Sequence, residues 1–214
     1  MNRKRVCLTI ILISSLLGCA GVIHDNLKIP AGEITGNQFT GIRYPFRVSA
    51  PPHWKMSTDF PDFLEQFGYE KPGPHDKEVT ELYIFNPSTQ SSIQIDFTPS
   101  NPRAPNQEWI EQTTSMATES FKGEIEKEYG SGVKVEYAPT TPYSLKGVSY
   151  AAKGYATYTV KGVKYEQGWI YGYEKPDQIF ILYMIIEKEG ATEGAKDRED
   201  LKKILDSFEV FSRQ

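Results

Sequence analysis

The chain has 214 residues, 39% of them hydrophobic and 24% charged, with a formal net charge of −4. That composition excludes disorder and a multi-span membrane protein, and the length suits one domain with a tail. With the basic residues of the first five positions set aside, the chain is acidic without a basic run, which argues against nucleic acid and against electrostatic docking on anionic lipid, since both need clustered Lys and Arg.

Residues 1–19 read MNRKRVCLTIILISSLLGC. Arg3, Lys4 and Arg5 form a basic start, and an apolar run from Val6 to Leu17 follows. The run is shorter than the roughly 20 residues that span hydrocarbon, so it reads as an export signal and not as a spanning helix. Leu16-Leu17-Gly18-Cys19 resembles the bacterial lipobox, in which a small residue precedes an acylated Cys. The resemblance implies that residues 1–18 are removed and that the Cys19 thiol carries lipid. Several acyl chains on one residue anchor stably where a single chain binds only marginally. Ala20, in place of Asp, resembles an outer-membrane address in organisms that have an outer membrane. The expected location is therefore the cell envelope, on the outer membrane and facing the periplasm in such organisms. Cys7 leaves with the leader and Cys19 is lipidated, so no intramolecular disulfide is expected.

Residues 19–41 lack sustained periodicity and contain Gly21, Gly32, Gly36 and Gly41, which predicts a lipidated N-terminus and flexible tether. The globular domain is expected over 42–214. Ile42–Ser49 reads as a strand with Pro45 at its edge or start, and Pro51-Pro52 ends it. Val79–Asn86 and Ser92–Phe97 are two more strands joined by a turn, with Ile93, Ile95 and Phe97 sharing a face. Asn106 is placed to cap a helix whose inward stripe is Trp109, Thr113, Met116, Ala117, Phe121 and Ile125, ended by Gly130.

Lys161-Gly162 is a two-residue hairpin turn, and it fixes a register. Tyr158 then faces Tyr165, Gly154 faces Trp169, Ala152 faces Tyr171, Tyr150 faces Tyr173, and Tyr155 lies opposite Gly168. Lys175-Pro176-Asp177-Gln178 forms a second turn, with Pro176 expected at its i+1 position. Ile179–Ile186 is apolar at every position, so both of its faces must be buried. A last helix presents Leu201, Ile204, Leu205 and Phe208 on one side, and Asp197, Glu199 and Asp200 near its start favour the dipole. A doubly buried antiparallel strand with helices early and late predicts an α+β fold: an antiparallel β-sheet flanked by helices on both faces, an α/β/α sandwich.

Tyr44-Pro45-Phe46-Arg47-Val48 running into Pro51-Pro52-His53-Trp54, then hairpins, a helix, long antiparallel strands and a terminal helix closing on Leu205-Asp206-Ser207-Phe208, resembles the PsbP-like superfamily. That superfamily includes the extrinsic PsbP subunit of photosystem II, the yeast Ran-binding Mog protein and bacterial DcrB-type lipoproteins. The resemblance covers about residues 40–212, with 57–78 as an insertion. It implies a largely non-enzymatic protein that binds proteins or assists assembly, and it carries over no functional residue.

No catalytic motif appears, and His24, His53 and His75 have no ligand-type partner at helical spacing. No enzyme activity, cofactor or metal is therefore expected. The segment 59–78 is the binding candidate, with Phe60, Phe63, Phe67, Tyr69 and His75 as its site residues. Phe60, Phe63, Leu64 and Phe67 fall on one side of a short helix that Gly68 stops, before a Pro/Gly-rich loop of a kind often functional. The preferred alternative has these rings simply covering a sheet edge, because apolar helical stripes are usually core. The expected function is a non-catalytic, membrane-anchored lipoprotein that binds a protein partner. A binding module for a small apolar ligand is the alternative.

Overall fold

The computed structural model describes residues 29–67, 71, 80–130, 132–188 and 193–211. Among the described residues, two antiparallel sheets and two α-helices make up the domain. Its strands are β1 (Gly32–Thr35), β2 (Gln38–Gly41), β3 (Phe46–Ser49), β4 (Lys55–Ser57), β5 (Thr80–Phe85), β6 (Ser92–Pro99), β7 (Val135–Tyr137), β8 (Thr141–Pro142), β9 (Tyr150–Val160), β10 (Val163–Glu174), β11 (Asp177–Lys188) and β12 (Glu209–Val210). The helices are α1 (Gln107–Tyr129) and α2 (Glu193–Ser207), with a short 3-10 helix at Asp62–Phe67.

The large sheet runs β4-β5-β6-β11-β10-β9-β7, with β8 also paired to β9. β11 lies in its middle, and Ile179, Ile181 and Ile185 on one face and Leu182 on the other are all buried, as its unbroken apolar run requires. Against one face, α1 packs Phe121 and Ile125 onto Trp169, Tyr158 and Leu182. Against the other, Leu201, Ile204, Leu205 of α2 and Phe208 close on Ile93, Ile95, Ile179 and Ile181. The expected α+β fold, with helices on both faces of an antiparallel sheet, is what forms.

The Lys161-Gly162 turn has both central residues at positive φ, 52° and 78°, as a type I′ hairpin demands. The β9–β10 register follows it: Tyr165 pairs with Tyr158, Trp169 with Gly154, Tyr171 with Ala152 and Tyr173 with Tyr150. Asn106 caps α1 by accepting the Trp109 N–H at 2.8 Å.

Other expectations are corrected. Residues 32–41 are not tether: they form the β1–β2 hairpin around Gly36-Asn37, which joins β3 and β12 in a second sheet. The reason is Phe39, fully buried against Phe46 at 5.0 Å between ring centroids. The ordered domain thus begins before residue 42, and β3 starts at Phe46, with Ile42–Pro45 connecting it to β2. In α1 the buried stripe is Ile110, Thr114, Thr118, Phe121 and Ile125, while Met116 is exposed. Thr114 and Thr118 tolerate burial because their hydroxyls donate to the carbonyls of Ile110 and Thr114, one turn back. Pro176 occupies the i+2 position of its turn, after a cis Lys175–Pro176 bond, because Glu174 pairs with Asp177.

Candidate functional site

The end of the large sheet where β10 turns into β11 faces the edge of the small sheet across an open cleft of about 590 Å³. Phe97, Pro45, Val148, Val210 and Phe211 supply its apolar surface, and Ser149, Glu174, Lys175 and Asp177 its polar one. Phe97 is buried, whereas Phe211 is 38% exposed. Backbone contacts fix the walls. Phe211 N–H donates to the Pro45 carbonyl and Val210 N–H to the Lys146 carbonyl, both at 2.9 Å. Gly147 has φ 75° and sits so close to the Val210 carbonyl that no Cβ fits.

Glu174 is the oriented group of this cleft. The Ser149 N–H and Oγ–H both donate to its Oε2, at 2.9 and 2.5 Å. Asp177, beside it in the fold, is buried. Such an arrangement of two carboxylates, one exposed lysine and apolar walls has the chemistry of a binding surface.

Two other polar clusters tie the structure together. Lys153 Nζ lies 5.0 Å from the ring centroid of Tyr183, 5.6 Å from Tyr155 and 5.7 Å from Tyr143. Burial pulls the Lys153 pKa below the ordinary lysine range, against the attraction of Glu166. The Tyr183 hydroxyl donates to Glu166 at 3.2 Å, and burial with the Glu166 charge pushes its pKa up. Arg198 then bridges Glu166 and Glu187 at 2.9 and 2.8 Å, fastening α2 to β10 and β11.

His53, Asp197 and Asp200 bring metal-type donor atoms within 4.8 Å of one another. Every carboxylate oxygen there already accepts a hydrogen bond or ion pair. Asp197 takes Asn86 and Thr89 at 2.8 and 2.5 Å. Asp200 takes Lys203 at 2.9 Å on one oxygen, and His53 at 2.8 Å with Trp54 at 3.4 Å on the other. Burial works against the Asp200 charge, yet Lys203, Trp54 and His53 together hold its pKa below the usual carboxylate range. These donors, one of them an ammonium, match an internal network joining α2 to the turns at 51–54 and 86–91. Asp197 and Asp200 thus serve as buried acceptors inside α2, which begins at Glu193, and not as charges at its first turn.

No protein-family profile and no curated protein matches the chain. Among solved structures, the solution structure of cyanobacterial PsbP (CyanoP) from Synechocystis sp. PCC 6803 is similar, with a TM-score of 0.50 and 9% identity, over 92% of this chain and 99% of that one. The fold is PsbP-like. At that identity the likeness is one of architecture. A crystal structure from Bacteroides thetaiotaomicron VPI-5482 gives a TM-score of 0.47 at 10% identity, over 84% of this chain and 50% of that one.

In this PsbP-like domain the described residues among those singled out from sequence, Phe60, Phe63 and Phe67, do not line the cleft. Phe60 meets Tyr83 edge-on at 5.9 Å, and Phe63 meets Phe85 at 5.1 Å and Phe67 at 6.3 Å. All three rings are half-buried beside β5, and Leu64 between them is fully buried. Cys19, Tyr69 and His75 lie outside the described residues. Pro45, Phe97 and the Lys175-Pro176 turn are legible in sequence as local structure, but nothing there joins them into a cleft, because Pro45, Phe97, Ser149, Glu174 and Phe211 come from separate segments that only the two-sheet topology brings together. His53 stands out in sequence, but its partners lie some 145 residues away, where spacing cannot reveal them.

Proposed function

We propose that this chain is a non-catalytic, lipid-anchored protein of the cell envelope whose PsbP-like domain binds a protein partner. The anchor is lipid on Cys19, supported by the basic start, short apolar run and Leu-Leu-Gly-Cys sequence in register. In organisms with an outer membrane, Ala20 supports attachment there, facing the periplasm. The resemblance to the PsbP-like superfamily supports a binding or assembly role.

The observation that carries the binding reading is the cleft. It is partly open to solvent, about half polar, and edged by the exposed ring of Phe211. Surfaces of that kind suit a partner's chain, whereas small apolar ligands favour enclosure. The small-ligand alternative draws on one observation, a volume within the usual range of ligand sites. The test is a photo-reactive residue placed at Phe211 in cells, with a control at the exposed Met116 on α1. Capture of one protein at Phe211 and not at Met116 is expected. Equal capture at both positions, or only a small molecule at Phe211, defeats the protein-partner reading.

A further inference from the structure

Glu174 defines what the cleft recognises. Both donors of Ser149 go to Oε2, at 2.9 Å from the N–H and 2.5 Å from the hydroxyl. The carboxylate is thereby fixed in direction, and Oε1 receives no hydrogen bond from the described residues. An oriented carboxylate with one unshared oxygen is an acceptor prepared for an outside donor, and charge-assisted bonds are the strong ones. The local charge selects the sign of that donor. Glu174 and the buried Asp177 stand against the exposed Lys175, which forms no ion pair with a described carboxylate. An acidic ligand would meet the like charge of Glu174 in a chain that is itself acidic.

The apolar groups select the rest. Pro45, Phe97, Val148, Val210 and Phe211 line the same cleft as the carboxylate. Phe211 is large and exposed on this rim, and a bound apolar side chain would remove it from water. Resting on the protein-partner reading above, we propose that the cleft takes an extended segment of that partner carrying one Lys or Arg, presented to Glu174, with an apolar residue on either side. Complementary charge sets specificity here, and apolar contact supplies much of the affinity.

The probes are three capped pentapeptides, Ala-Leu-X-Leu-Ala with X as Lys, norleucine or Glu, titrated into the purified full chain and followed by NMR shift changes. The Lys peptide should bind about tenfold or more tighter than the Glu peptide. Glu174→Gln, which can still accept both Ser149 bonds, should reduce the Lys peptide to the norleucine level with an unchanged unfolding midpoint. Lys175→Glu should tighten the Lys peptide, a gain that misfolding cannot produce. Phe211→Ser should weaken the Lys and norleucine peptides alike. Equal binding of the Lys and Glu peptides, a preference that survives Glu174→Gln, or no binding of any peptide overturns the proposal. The crosslink at Phe211 reads the partner separately: a captured partner whose contact segment has no Lys or Arg sinks this inference and leaves the protein-partner reading standing.

Discussion

Gly154 and Gly168 are two positions where a single methyl group decides the packing of β10. A Cβ at Gly154 would fall 2.6 Å from Trp169 Nε1, whose N–H donates to the Thr114 carbonyl of α1. A Cβ at Gly168 would fall among the ring atoms of Tyr183, which crosses from β11 over the gap. Gly154→Val and Gly168→Ala should each destabilise by about 1–3 kcal/mol, read as a lowered midpoint in denaturant. Gly123, on α1 with open space around it, is the contrast. Gly123→Ala should stabilise by roughly 0.5–1 kcal/mol. Unchanged midpoints for the first two would contradict the packing. The Gly154–Trp169 contact was legible in sequence, because the Lys161-Gly162 turn sets its register. The use of Gly168 was not. Tyr155 does lie opposite it, but the ring that fills the space comes from the other neighbouring strand, and no local pattern reports that.

Among the elements, β5 carries the most unusual charge. A register shift between Thr80 and Leu82 turns Glu81 inward, where its side chain is 1% exposed. Arg43 approaches to 3.2 Å, but neither Arg43 Nε nor Glu81 Oε2 makes a hydrogen bond. Burial, outweighing the pull of Arg43, pushes the Glu81 pKa up to about 7, and Asp96 adds in the same direction. A pKa raised on folding gives stability that is fully present below the ordinary Glu value and lost as pH rises through about 7. Wild type should therefore lose more unfolding free energy than Glu81→Gln between about pH 5 and about pH 8. Identical pH profiles would show that Glu81 titrates normally.

The 3-10 helix at Asp62–Phe67 answers a different question at the same scale. Its apolar spacing was legible, but its pitch was not. Leu64, 3% exposed, carries the burial while the phenylalanines on either side are only half-buried. Leu64→Ala should cost about 2–5 kcal/mol, and Phe63→Ser with Phe67→Ser together should cost less than two full core truncations. A thermal midpoint left intact by the double change would free both rings for a partner. A collapse of stability would assign them to the sheet.

For the whole molecule, the layering was legible because β11 is apolar on both faces and so needs cover on each. The small sheet was not, since β1 and β2 show no alternation and Phe39 alone holds them to the core. That sheet changes the geometry of the proposed anchor. The first strand begins at Gly32, so residues 19–31 are what lies between Cys19 and that strand. Even fully extended, such a segment reaches at most on the order of 45 Å. Were Cys19 to carry the proposed lipid, the domain would stay close to the bilayer, and the partner proposed for its cleft would be membrane-attached or work near the surface. Among the described residues no helix is long and apolar enough to cross a membrane. Cys19→Ser should move the protein from the membrane pellet to the soluble fraction with its unfolding midpoint unchanged. Continued sedimentation with membranes would remove the lipid anchor and the distance limit that follows from it. A soluble product that no longer crosslinks at Phe211 would show that the partner is met only at the membrane.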